Sequence, residues 1–254
     1  MTTTLDTQFA RSWVSRWDAQ QERYIADREE RFAVIGDVVA EALRSSKPVV
    51  GATVLDLGCG PGSLSARLAD RIPGLRVIGV DADPLLLALG RARYGYRVEF
   101  IDADLTAAEL PEQVPSVIDA AVSTTALHWL DPEPLAALYR NLAARIRPGG
   151  VFVDGDHMPA NDPALRDLGR LVRESRAERA GVIDNEEWSQ WWTAAQAEPE
   201  LADLITQRSA RAIAHHGSNS LSPAEHAELL LAAGFSSAGP VWQSGDDTVL
   251  VAIR

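Results

Sequence analysis

Val54-Leu55-Asp56-Leu57-Gly58-Cys59-Gly60-Pro61-Gly62-Ser63 sets a short apolar run directly against three alternating glycines. The run predicts a buried strand over Thr53–Leu57, then a tight turn, then a helix to about Arg71, where Ile72-Pro73-Gly74 stops it. Glycine at such a turn lets the backbone approach a ligand with no Cβ in the way. The spacing is Gly-x-Gly-x-Gly, not the Gly-x-Gly-x-x-Gly that seats a pyrophosphate. Asp56 at the mouth of the loop would repel a pyrophosphate and suits an ammonium or a sulfonium.

Outward from that stretch, strands and helices alternate. Strands are expected over 75–80, 97–101, 117–123 and 151–154. Asp83-Pro84 and Asp131-Pro132 are helix starts, an N-cap with proline in the first turn, and Pro148-Gly149-Gly150 is expected to end the second of these helices. The strands are near-continuous apolar runs, as in a parallel sheet covered on both faces. Residues 8–46 are expected to be helical, closed by Ser45-Ser46-Lys47-Pro48, and so are residues 163–211. Ser222-Pro223-Ala224-Glu225 is a capping box, with Gly234 as C-cap. Two last strands, 238–243 and 248–253, flank Ser244-Gly245-Asp246 as a hairpin. The expectation is one α/β domain over 1–254, with a helical N-terminal lid (1–47) and a helical insert after strand five (156–217).

Composition narrows the function classes. The 254 residues are 46% hydrophobic, enough for a substantial core. A formal net charge of -12 repels nucleic-acid backbones and anionic lipid headgroups. Cys59 is the only cysteine, so there is neither an internal disulfide nor a cysteine-rich metal site, and no metal-ligand set is assigned. The first residues show no basic stretch followed by an apolar one, and no run of about 20 apolar residues occurs, so a cytoplasmic protein is expected. Lys47, the sole lysine, is the only candidate for any lysine chemistry.

Acidic residues recur at the strand tips. Asp81, with Ala82 beside it, ends the second strand and could accept hydrogen bonds from ribose hydroxyls, while Asp83 is a helix N-cap. After the third strand, Asp104 could accept from an adenine amino group with Leu105 against the ring; Asp102 competes for that role, and an acidic surface turn is the plain alternative.

Together these residues resemble the class I S-adenosylmethionine-dependent methyltransferases, over about 50–155 and 222–254. Ala126-Leu127-His128-Trp129-Leu130 is similar to the small-molecule branch that includes trans-aconitate and malonyl-carrier methyltransferases. The resemblance implies a Rossmann-like, seven-stranded, mostly parallel sheet with its last strand antiparallel. It implies S-adenosylmethionine across the strand tips, with S-adenosylhomocysteine as product. Asp56, Gly58 and Gly60 would surround the methionine end, Asp81 would hold the ribose, Asp104 and Leu105 the adenine, and Ser123 would line the floor near the methyl. Tyr24 and Arg28 are similar to a lid tyrosine and arginine of that branch, against a solvated helix face as the alternative. Cys59 has no reactive role.

Methyl transfer needs placement and a water-poor pocket, and a base only where the acceptor must lose a proton. His128, after strand four, is the first candidate, or else an orienting residue beside Trp129; His157, just past strand five, is the second. His215, His216 and His226 are expected on the surface or in the insert. Trp188, Trp191 and Trp192 share one helix face as an aromatic roof for a small-molecule acceptor, or pack the insert onto the sheet. Arg166, Arg170, Arg173, Arg176 and Arg179 alternate with acids on a salt-bridged helix, from which one could still pair with an acceptor carboxylate. A nicotinamide-dependent oxidoreductase would explain the loop and Asp81 but neither Asp56 nor Asp104. A non-catalytic cofactor-binding protein on the same fold is the other alternative. An RNA or protein methyltransferase is opposed by the charge and by Ser123-Thr124-Thr125 where an Asn-Pro-Pro-Tyr-type motif would stand. Arginine-rich, lysine-poor usage suggests a bacterial source and secondary metabolism.

Overall fold

The computed structural model describes residues 5–44, 51–107, 109–211 and 219–254. Lys47, His215 and His216 lie outside the described residues. Seven strands form one sheet: β1 (Thr53–Leu57), β2 (Arg76–Asp81), β3 (Val98–Asp102), β4 (Ile118–Thr124), β5 (Ile146–His157), β6 (Ser237–Ser244) and β7 (Asp247–Ile253). Their order is β3-β2-β1-β4-β5-β7-β6. Strands β1 to β5 pair in parallel, and β7 runs antiparallel to both β5 and β6.

The alternation of side chains along each strand feeds two apolar layers. Val54, Val77, Val122, Val153 and Val251 face α1 (Thr7–Glu22), α2 (Arg28–Arg44), α3 (Ser63–Arg71) and α4 (Pro84–Tyr94). Leu55, Ile78, Ala121, Phe152 and Leu250 face α5 (Pro132–Arg145) and α9 (Pro223–Ala233). The remaining helices, α6 (Pro163–Ala180), α7 (Trp188–Ala197) and α8 (Ala202–Ala210), follow β5. Only Ala177 of α6 is buried, whereas α7 buries Trp191, Trp192 and Ala195.

Four expectations change. The helical run at 8–46 breaks at residues 23–27 into α1 and α2. Residues 163–211 form three helices, because the Gly181 αL cap ends α6 and Pro199 interrupts the stretch before α8. Helix α5 ends at Arg145, short of Pro148-Gly149-Gly150. Ile146 is already extended, and β5 runs on to His157, so His157 belongs to the sheet and the insert begins beyond it. The capping signals fall where they were read: Asp83 accepts from Leu85 N and Leu86 N, Ser222 and Glu225 close a capping box, and Gly234 holds a φ of 109°. Among the described residues no helix is long and apolar enough to cross a membrane.

Candidate functional site

The parallel strands end on one edge of the sheet, and the glycine loop lies there. Gly58 N and Cys59 N donate to Val80 O at 2.8 and 3.1 Å, which ties the loop to the tip of β2. Gly58 has a φ of 67°, and a Cβ on it would collide with the Ala126 side chain, so the loop after β4 rests directly on it. A Cβ on Gly62 would lie 2.7 Å from the Phe100 ring. These two glycines therefore serve packing. Gly60 is the open one, since a Cβ there would meet nothing nearer than Leu86 at 3.9 Å and Trp17 of α1 at 4.0 Å.

Two carboxylates lie under this loop. Asp81 accepts from Gly60 N and Asp83 N, each at 2.8 Å, so it shapes the loop as well as ending β2. Burial pushes its pKa up to about 6. Asp56 is fully buried and accepts from Ser65 Oγ at 2.5 Å, while its other oxygen has no partner. Burial, with the nearby Asp81 charge adding to it, pushes Asp56 up to about 7 against the Ser65 hydrogen bond. Two acids held close to neutrality, one with an orphaned oxygen, make a site suited to a cation. Cys59 is buried against Gly79, and burial raises its thiol well above the usual value, which leaves it inert.

At the tips of β2 and β3, Asp104 is exposed and accepts from Thr106 N at 2.8 Å, with Leu105 half-buried next to it. Asp102 is held by both guanidinium nitrogens of Arg211, which also donates to Ala82 O at 2.9 Å. Arg208 Nε lies 2.6 Å from Asp83 Oδ2. The carboxyl end of α8 thus reaches across to this edge, through two arginines that sequence reasoning missed.

Above the loop, α1 closes the site. Asp18 accepts from Ser63 Oγ at 2.5 Å and pairs with Arg28 at 2.8 Å. Arg28 is buried against Phe32, so it acts on the loop through Asp18. Tyr24 lies elsewhere: its hydroxyl accepts from Trp188 N at 3.1 Å, and it lines a cleft of about 310 Å³ with Arg23, Arg173, Glu174, Ala177, Glu178 and Ile183, none of them in the glycine loop. Trp191 is fully buried, edge-on to Trp13 at 5.3 Å and Trp17 at 5.1 Å, and Trp192 packs beside it at 5.0 Å. These two rings join α7 to α1 and form core, not roof. Trp188 and Trp129 are each 38% exposed. Gln20, one turn past Trp17, is fully buried with both amide atoms unpartnered, and only burial reveals it. Four of the α6 arginines are engaged within the chain: Arg173 with Asp246 at 3.0 Å, Arg176 with Asp27, Arg170 with Asp167 at 2.9 Å, and Arg166 with Ala160 O at 3.1 Å.

The β4–β5 side carries a second polar group. Ser123 is fully buried and donates to Leu57 O at 2.9 Å, which stitches β4 to β1 and spends its hydroxyl inside the sheet. Thr125 takes a φ of 51°, strained for a β-branched residue, and donates its N–H to Gly155 O at 3.0 Å. The turn that follows carries His128. Its Nδ1 lies 2.8 and 3.0 Å from the two oxygens of Asp156. Burial would raise Asp156, but the charge and hydrogen bond of His128, with His157 and Arg31, bring it down to about 2. Burial and the Arg31 charge work against a protonated His128, yet Asp156 outweighs them and raises it. His157 is lowered to about 3 by burial and by Arg31, so it stays neutral. His226 is buried, contrary to expectation, with Nδ1 2.8 Å from the Tyr139 hydroxyl. Arg31, fully buried, donates to Gly155 O at 3.1 Å and pairs with Asp247 at 2.5 Å.

Residues 54–150 match the family described as a methyltransferase domain. A trans-aconitate 2-methyltransferase of Azoarcus sp. is 35% identical over 162 residues, covering 63% of this chain and 56% of that protein. One from Methylobacterium nodulans is 32% identical over 190 residues, covering 70% of this chain and 68% of that protein. The chain therefore spans little more than half of the first relative and about two thirds of the second. Human N-acetylserotonin methyltransferase, solved in complex with SAM, superposes with a TM-score of 0.53 at 17% identity, covering 97% of this chain and 58% of that one, a likeness of fold.

Proposed function

Because the chain belongs to the class I S-adenosylmethionine-dependent methyltransferases, we propose that it methylates a small-molecule acceptor held between the glycine loop, the His128 turn and the helices after β5. When bound, the cofactor supplies a methyl group on a positively charged sulfur, open to in-line displacement by an acceptor nucleophile.

The observation that carries this reading is a pair of acids, Asp56 buried and Asp81 half-buried, beneath an open glycine. Asp56 and Asp81 are raised to about 7 and 6; the charges that act on them are carboxylates, Asp81 on Asp56 and Asp83 on Asp81, and their hydrogen-bond donors are neutral. An ammonium or sulfonium above Gly60 would restore both to their ionised forms. Asp81 retains lone pairs for ribose hydroxyls beyond its two backbone hydrogen bonds. Asp104 and Leu105 border the place for adenine. Two anions in this position disfavour a pyrophosphate, which sets the nicotinamide alternative aside. Trp17 and the α1–α7 tryptophan cluster exclude water above the loop. His128 stands at the acceptor side and receives a proton where the acceptor carries one. His157, neutral and with a buried Nε2, is a poor second base. Trp129 and Trp188 offer apolar faces to the acceptor.

Calorimetric titration tests the cofactor half. The protein should bind S-adenosylmethionine and give no heat with a nicotinamide dinucleotide. Asp81→Ala should weaken binding by about 1–3 kcal/mol, the range for lost hydrogen bonds to a charged group. An unchanged dissociation constant would remove Asp81 from the site, and preferential nicotinamide binding would overturn the reading.

A further inference from the structure

The turn that carries His128 is fixed from several directions. Thr125 N donates to Gly155 O at 3.0 Å, and Trp129 N donates to Ala126 O at 3.2 Å. Asn219 donates its backbone N–H to His128 O at 2.9 Å and its side-chain amide to Leu127 O and Leu130 O at 3.1 and 3.0 Å. Behind the ring, Asp156 is almost wholly buried and is itself oriented by His157 N, which donates to Oδ1 at 2.8 Å. The His128 side chain is 22% exposed and Asp156 3%, so the imidazole connects a buried anion to the protein surface. With Nδ1 on Asp156, Nε2 is the nitrogen left for an acceptor.

The charges around the ring agree with this arrangement. Asp154 is fully buried two residues earlier on the same face of β5, and both its oxygens are unpartnered. Burial, with the Asp156 charge, raises it well above the usual carboxylate range and keeps it neutral. The negative charge therefore resides on Asp156, against His128. Arg31 from α2 and the neutral His157 are the other titratable groups that act on the ring.

We propose that Asp156 is a positioning residue that fixes His128 with Nε2 toward the cleft as a proton acceptor, and that the site takes a neutral hydroxyl compound, an alcohol or phenol, instead of a carboxylate. This rests on the reading of the protein as a methyltransferase and narrows its acceptor. The acceptor's O–H proton passes to Nε2, the freed oxygen pair forms the bond to the methyl carbon, and the carbon–sulfur pair stays on sulfur. The positive charge moves from the sulfur to the imidazolium, where Asp156 stabilises it. A carboxylate has no proton to give at neutral pH, and the Asp156 anion behind the ring disfavours a second one in front of it.

The test uses the full chain with S-adenosylmethionine and a panel of small phenols and alcohols, with trans-aconitate as the carboxylate comparator. Transfer to a hydroxyl compound is expected, with the rate rising with pH as His128 loses its proton. Asp156→Asn should cut kcat about 10–100-fold, move the acid limb of the profile to lower pH, and leave the cofactor dissociation constant unchanged. Asp156→Glu should restore part of the rate. Imidazole 15N signals should show His128 protonated on Nδ1 in the wild type and a mixture of tautomers in Asp156→Asn. An unmoved pH limb and tautomer, or failure of every hydroxyl compound, overturns the proposal. Absence of cofactor binding by the wild type would instead overturn the methyltransferase reading.

Discussion

The β1–β2 and β4–β5 halves of the strand-tip edge solve opposite electrostatic problems. Under the glycine loop, buried Asp56 and half-buried Asp81 lie close together with no cationic side chain beside them, and both hold their protons up toward neutrality. At β5, Asp156 is as buried as Asp56, but His128 and Arg31 are near, and it ionises at about 2. One half awaits a positive charge and the other already contains its own. Burial of a carboxylate is common to both; the presence of a partner within the chain decides the outcome.

The comparison can be broken most severely at its cover. If Trp191 is core that locks α7 onto α1 above the loop, Trp191→Ala should destabilise the protein by about 3–5 kcal/mol. Trp188→Ala, at a ring 38% exposed, should change stability little and should show in the acceptor KM. Equal losses of melting temperature would mean that the roof and the core had been confused.

A smaller effect sharpens the β5 half. Asp154 is held neutral with its pKa raised, so its contribution to stability is complete below the unfolded carboxylate value and is lost as pH rises toward its folded value. While it stays protonated, this costs the fold about 1.4 kcal/mol per pH unit. Asp154→Asn should gain stability relative to the wild type on going from pH 4.5 to pH 7.5, measured by urea unfolding. A parallel pair of curves would show that Asp154 is ionised in the folded protein.

The β1–β2 half was largely legible in the sequence because its parts are close along the chain. The loop, Asp56 and the strand are contiguous, Asp81 bonds to Gly60 across 21 residues, and the caps at Asp83 and Ser222 are local. The β4–β5 half was not. Asp156 meets His128 across 28 residues, Asn219 meets Leu127 across 92, and Arg31 meets Gly155 across 124. None of these pairings leaves a periodic or spacing signal. Arg211 was equally hidden, 109 residues from Asp102. The tryptophans show the same limit: the shared helix face of Trp188 and Trp192 was readable, whereas the burial of Trp191 against Trp13 depends on a helix 178 residues away.

The central claim is that the two acids under Gly60 await a cation, and proton release on binding tests it. Titration of the protein with S-adenosylmethionine at pH 6.5, in buffers of differing ionisation enthalpy, should show net release of protons, with affinity rising between pH 5.5 and pH 7.5 as Asp56 and Asp81 ionise. Binding with no proton exchange and no pH dependence across that range would contradict the account.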